Sequence, residues 1–104
     1  KETKYTTSLK KLDEYLTSAD IIINTTPKNP LKNKHTKLIN KKTILSDIVY
    51  KPKQTSFLKK FPNNTKIYGI SMLLEQAVPC FELWFGFKPS IDAKLMNVLE
   101  KKIK

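Results

Sequence analysis

The run Asp20-Ile21-Ile22-Ile23-Asn24 restricts the fold of this chain more than any other segment. Successive side chains of a strand point to opposite faces, so three adjacent isoleucines make both faces apolar. Such a strand suits a parallel sheet with helices on either side. A second strand is predicted at Thr43-Ile44-Leu45-Ser46-Asp47-Ile48-Val49-Tyr50, ended by Pro52, and a short third at Lys66-Ile67-Tyr68, stopped by Gly69. Helical spacing fills the intervals. Ser8 is placed to cap a helix to Ser18 with Leu9, Leu12 and Leu16 on one face. Thr55 is placed to cap a short helix carrying Phe57, Leu58 and Phe61. Met72 to Phe85 reads as a helix closed by Gly86, and Ser90 as the cap of a last helix with Ile91, Leu95, Val98 or Leu99 in register. The segment Thr26 to Asn40 reads as a loop with room for one helical turn.

This order of elements is the grammar of an α/β sheet with right-handed crossovers. Three strands make a narrow sheet, and the isoleucine strand would present an unpaired, aggregation-prone edge. A doubly wound fold opens with a strand and a Gly-rich phosphate turn. The chain has only Gly69 and Gly86, so it cannot contain a GxGxxG turn. It also begins with Lys1. The expectation is therefore the distal half of a larger three-layer domain, followed by C-terminal helices, with further residues upstream.

Charge suggests a different partner. The formal net charge is +11 over 104 residues, a value that draws anions such as nucleic acid. All 20 basic residues are lysines, however, and they are dispersed. Arginine, which supplies the bidentate forks for guanine and phosphate, is absent. A solvated lysine surface is the favoured reading, with a stand-alone basic nucleic-acid-binding module as the rival. No run reaches the roughly 18 apolar residues of a membrane span, so no membrane partner is expected. The single cysteine, Cys80, cannot form an internal disulfide, which fits a cytoplasmic protein.

In open parallel sheets ligands bind beyond the carboxyl ends of the strands. Three distinctive clusters fall there: Asn24-Thr25-Thr26-Pro27, Asp47-Ile48-Val49-Tyr50 and Gly69-Ile70-Ser71-Met72. Gln76, about one turn into the expected helix, is placed to face the same crevice.

These clusters resemble the shikimate dehydrogenase family. Ala19-Asp20-Ile21-Ile22-Ile23-Asn24-Thr25-Thr26-Pro27 is similar to that family's strand and turn. Asp47-Ile48-Val49-Tyr50-Lys51-Pro52, followed by Thr55 and Phe57-Leu58, resembles its next strand, turn and helix. Gly69 to Ala77, continuing to Phe81, Trp84 and Gly86-Phe87-Lys88-Pro89, resembles its C-terminal signature. The resemblance implies the C-terminal half of a Rossmann-like NADP-binding domain. It also implies reversible, NADP-dependent reduction of 3-dehydroshikimate to shikimate, in chorismate and aromatic amino-acid biosynthesis. A quinate/shikimate dehydrogenase of broader substrate or cofactor use remains open.

By the same resemblance Tyr50 and Gln76 would bind the substrate. Asn24, Thr25, Ile48 and Gly69 would line the cofactor, the absent side chain of Gly69 permitting close approach. No catalytic residue is expected here. The catalytic Lys and Asp would belong to an N-terminal substrate domain, and the Gly-rich turn would also lie upstream. The chain departs from the family where Lys28-Asn29-Pro30 stands in place of Gly-Met, where Ile48 stands for a frequent Met, and where Ser71 stands for a second Gly. Ser71 is then a possible helix cap, and Pro79 should kink the helix. The plain readings of the remaining residues make His35 a solvated surface histidine and Cys80 a small core residue. Trp84, with Phe81, Phe85 and Phe87, reads as core or as an interface to the upstream domain. Asp47 reads as a strand-end carboxylate bonded to backbone amides, with no catalytic role assigned.

Overall fold

The computed structural model describes residues 8–104; of the side chain of Leu9 nothing is described, so its expected place on the first helix lies outside the described residues. A short 3-10 turn, Leu9–Lys11, leads into α1 (Leu12–Ser18). The order then runs β1 (Ile21–Asn24), α2 (Asn33–Thr36), β2 (Ile44–Asp47), α3 (Ser56–Lys59), β3 (Lys66–Ile67), α4 (Gly69–Phe85) and α5 (Ala93–Lys102). The three strands form one parallel sheet in the order β1-β2-β3. This is the α/β arrangement expected from the sequence.

Register decides which residues share a face. Ile21 pairs with Ile44, Ile22 with Leu45, Ile23 with Ser46 and Asn24 with Asp47, while Ser46 pairs with Ile67. One face therefore carries Ile22, Asn24, Leu45 and Asp47, and it is the covered one. Leu16 of α1, Leu31, Ile39, Leu45, Phe57 and Leu58 of α3, and Phe61 form the core, with Leu12, Ile22, Leu38 and Tyr68 packed at its margin. Phe57 meets Phe61 edge to face at 5.7 Å between ring centroids, a favoured aromatic geometry. The other face carries Ile21, Ile23 and Ile67, all exposed. The described residues thus build two layers, and the helical cover that the triple isoleucine demands on its second face is not among them.

The helix ends correct two details of the sequence reading. α4 starts at Gly69, so Ser71 lies inside the first turn and does not cap it. Asp92, not Ser90, caps α5, its carboxylate accepting from the Leu95 N–H at 2.8 Å. α4 is continuous through Pro79 to its end at Gly86, which has φ of 77° and donates its N–H to the Glu82 carbonyl at 2.8 Å. Glycine suits that left-handed position because it has no Cβ to clash.

α5 returns toward the sheet. Ile103 is buried and its carbonyl accepts from the Lys53 N–H at 2.8 Å. The Lys53 ammonium pairs with Glu100 at 2.6 Å and lies 5.0 Å from the centre of the Tyr68 ring. The middle and far end of α4 remain outside this packing, with Leu83, Trp84 and Phe85 exposed. The Cα radius of gyration is 16.3 Å, against roughly 13 Å for a compact chain of this length.

Candidate functional site at the carboxyl edge of the sheet

β1 and β2 end side by side on Asn24 and Asp47, which are register partners on the covered face. Both polar side chains are buried, Asp47 to 1% exposure, so each must find hydrogen bonds at the place where the strands stop. Asp47 Oδ1 accepts from the Val49 N–H at 3.0 Å. Asp47 Oδ2 accepts from the Thr55 hydroxyl at 2.6 Å and from the Asn24 amide at 3.2 Å. The Thr55 oxygen in turn accepts from the Leu58 N–H at 3.3 Å, capping α3.

Asn24 organises the turn that follows it. Its Oδ1 accepts from the Thr26 N–H at 3.1 Å and is 2.7 Å from the Thr26 hydroxyl, while its amide also reaches the Thr26 and Lys28 carbonyls. The ladder continues one step past the strands, with the Ile48 N–H donating to the Asn24 carbonyl at 3.1 Å. One buried carboxylate therefore joins three segments: the turn after β1, the turn after β2 and the start of α3. Every contact uses Asp47 as an acceptor, and its oxygens are occupied by the fold. Its role is to hold the two turns in place. The reading of Asp47 as a strand-end carboxylate bonded to backbone amides is met by the Val49 N–H, and the side-chain bonds to Thr55 and Asn24 add to it.

Gly69 completes the edge. A Cβ built there would fall 2.7 Å from the Asp47 and Ile48 carbonyl oxygens and 2.8 Å from that of Val49. These are backbone atoms with little freedom to retreat. Glycine is required because the first turn of α4 rests against the main chain of the β2 turn. The space freed by the missing side chain is used by the protein itself, a demand additional to the close ligand approach expected from the sequence.

The structure thus brings Asn24, Ile48 and Gly69 together at one sheet edge. Thr25 is exposed beside Asn24, Ile48 is half-buried, and Tyr50 stands exposed at the end of the β2 turn. Gln76 is further away than expected. Because α4 begins at Gly69, Gln76 lies two turns in, roughly 10 Å along the axis. It shares an exposed face with Leu73, Cys80 and Leu83.

Two plain readings are corrected. His35 is buried, its Nδ1 accepting from the Lys32 N–H at 2.9 Å and its Nε2 lying 3.3 Å from Asp13 of α1. It ties the loop after β1 to the first helix. Cys80 is exposed, as are Trp84, Phe85 and Phe87, so none of the four is core among the described residues. Among those residues no group of three or more His, Cys, Asp or Glu could hold a metal ion, and no helix is long and apolar enough to cross a membrane.

Comparison with known proteins converges on one family. Residues 69–93 match the shikimate 5'-dehydrogenase C-terminal domain. The NADP(+) shikimate dehydrogenase of Staphylococcus haemolyticus is 36% identical over 100 residues, which cover 90% of this chain and 37% of that relative. A crystal structure of a shikimate dehydrogenase in complex with NADP+ superposes with a TM-score of 0.72 at 30% identity, over 89% of this chain and 35% of that one. The enzyme of Thermus thermophilus, solved with NADP(H) and shikimate, gives a TM-score of 0.70 at 25% identity over 88% and 37% of the two chains. The chain spans little more than a third of the length of these relatives.

Proposed function

We propose, on the premise that this chain has the sequence and fold of the C-terminal part of a shikimate dehydrogenase, that it forms the distal half of the cofactor domain in an NADP-dependent oxidoreductase. The reaction is the reversible reduction of 3-dehydroshikimate to shikimate, in chorismate and aromatic amino-acid biosynthesis. The observation that carries this reading is the match along nearly the whole chain, in sequence and in fold, to enzymes named for that activity. The partners are a small-molecule substrate and an N-terminal domain of the same protein, in the cytoplasm.

The carboxyl edge suits part of such a cofactor and not the whole of it. Asn24 and Thr25 present amide and hydroxyl chemistry at the end of β1, Ile48 offers a half-buried apolar side chain, and Gly69 presents backbone without a side chain. Those groups fit an uncharged ring and its ribose. In a doubly wound domain the pyrophosphate of a dinucleotide rests on a Gly-rich turn, which two glycines cannot supply. NADPH, when bound, would supply the hydride for the reduction, and NADP+ would accept it in the reverse direction. Tyr50 and Gln76 contribute a phenol and an amide, donors and acceptors for the hydroxyls or carboxylate of the substrate. The Asp47 network keeps the Ile48–Tyr50 turn in one conformation. Proton transfer at the reacting hydroxyl is assigned to a Lys and an Asp of the N-terminal domain.

The isolated chain should therefore show no turnover of shikimate with NADP+, while the whole protein, including the residues that precede Lys1, should produce NADPH. In the whole protein Tyr50→Phe should raise KM for shikimate by up to about ten-fold, the worth of one neutral hydrogen bond. Turnover by the isolated chain would contradict the placement of the catalytic groups. An inactive whole protein that still folded would sink the dehydrogenase reading.

A further inference from the structure

A cleft of about 380 Å³ opens beside the Asn24–Asp47–Thr55 network, between the turn after β1 and the segment that leads into α3. Asn24, Asp47 and Thr55 contribute to its lining, and so do Lys28, Lys51 and Lys59. We propose that this cleft binds a compact polyanion of the phosphate-ester or pyrophosphate class, held by the ammonium groups of those three lysines.

Around the cleft, three lysines are set against a single carboxylate. Lys53 is ion-paired with Glu100, whereas Lys60 and Lys66 donate only to the neutral oxygens of Asn33, at 2.9 Å, and Asn64, at 3.3 Å. Lys28, Lys51 and Lys59 have no ion-pair or side-chain hydrogen-bond partner among the described residues. The only acid in the lining is Asp47, and both of its oxygens already accept from Val49, Thr55 and Asn24. Three like charges around one concave site repel one another, and a multivalent anion between them removes the repulsion. A concave wall also concentrates the field relative to a flat lysine surface.

The frame that carries these lysines is fixed. The Lys28 carbonyl is 2.6 Å from the Thr26 hydroxyl and 3.4 Å from the Asn24 amide. Lys59 sits on α3, whose cap is tied to Asp47 through Thr55. An ammonium group is a compact point charge that suits phosphate oxygens without demanding the planar fork of arginine. Lys28 stands where the resembled family has Gly-Met, so this cleft chemistry belongs to the present chain. Thr25, Ile48, Tyr50, Gly69 and Gln76 do not line the cleft, whereas Asn24, one of the residues set beside the cofactor, does, so the cleft adjoins the proposed cofactor edge and competition with NADP+ separates the two.

The test is a titration of the labelled chain with inorganic pyrophosphate at constant ionic strength, followed by amide chemical shifts, with chloride as the control anion. Saturable shifts should centre on Lys28, Lys51, Ser56 and Lys59. Replacing the three cleft lysines (Lys28→Gln, Lys51→Gln, Lys59→Gln) should weaken binding by about ten-fold or more, whereas the equally charged set Lys94→Gln, Lys101→Gln, Lys102→Gln should change it by less than about two-fold. All six side chains are exposed, and each single substitution gives the same readout should a triple variant misfold. Shifts without saturation, shifts spread over lysines throughout the chain, or an equal loss in the control set would overturn the site and leave only a general charge effect. Displacement of pyrophosphate by stoichiometric NADP+ would make the cleft a subsite of the cofactor and overturn its independence.

Discussion

Leu45 in β2 and Trp84 in α4 are both large apolar side chains at positions whose spacing assigns them to a core. Leu45 has no exposed surface, and Trp84 is 75% exposed. The difference extends to the regions around them. In residues 8–68, α1, β1, β2 and α3 each send at least one side chain into the shared core or against its margin. In α4 only Gly69 and Ile70 are buried, and α5 buries no residue of its own. Periodicity reports which side chains need cover. It does not report whether the covering surface belongs to the same stretch of chain.

The largest effect expected from this contrast lies in the packed half. Leu45→Ala removes a fully buried side chain between β1, α3 and the Phe57–Phe61 pair, and should destabilise the chain by about 3 kcal/mol, within the range of Leu→Ala core truncations. Denaturant unfolding with an unchanged slope would measure it. A loss below about 1 kcal/mol would mean that this core is loosely packed and the two regions are less different than their burial indicates.

Gly69→Ala probes the joint between the regions. The added methyl meets three backbone carbonyls at 2.7 to 2.8 Å, so α4 must shift away from the β2 turn. Overpacking of this kind should destabilise by roughly 1–3 kcal/mol. The amide signals of Ile48 and Val49 should move with it, because their main chain is the surface being pushed. A neutral substitution would show that α4 is not held against that turn.

Sequence patterns revealed the first region better than the second, for physical reasons. The two long strands were legible because β-branched runs bounded by turn residues admit few other structures. The joining of Asn24, Ile48 and Gly69 followed from topology, since parallel strands must bring their carboxyl ends to one edge. His35 was not legible, because its burial depends on Asp13, twenty-two positions earlier and on another element. The start of α4 was misplaced because glycine was read as the stop of a strand, when backbone crowding by residues 47–49 is what requires it. Ser90 and Asp92 are both good caps two positions apart, and local chemistry alone does not choose between them. The Asp47 network needed the fold to bring Thr55 back to the strand end.

Trp84→Ala carries the smallest expected effect and the sharpest use. With three quarters of the indole surface in water, truncation removes little burial, and stability should change by less than about 0.5 kcal/mol. The same substitution in the whole protein should cost about 3 kcal/mol or more if the α4 face is covered there, the usual consequence of emptying a buried tryptophan site. A large effect in the isolated chain would mean that α4 packs in solution on some part of this chain, most directly the open face of Ile21, Ile23 and Ile67. A small effect in both contexts would leave Trp84, Phe85 and Phe87 as surface in the whole protein too. The contrast between the two regions would then belong to the fold itself and not to the length of chain present.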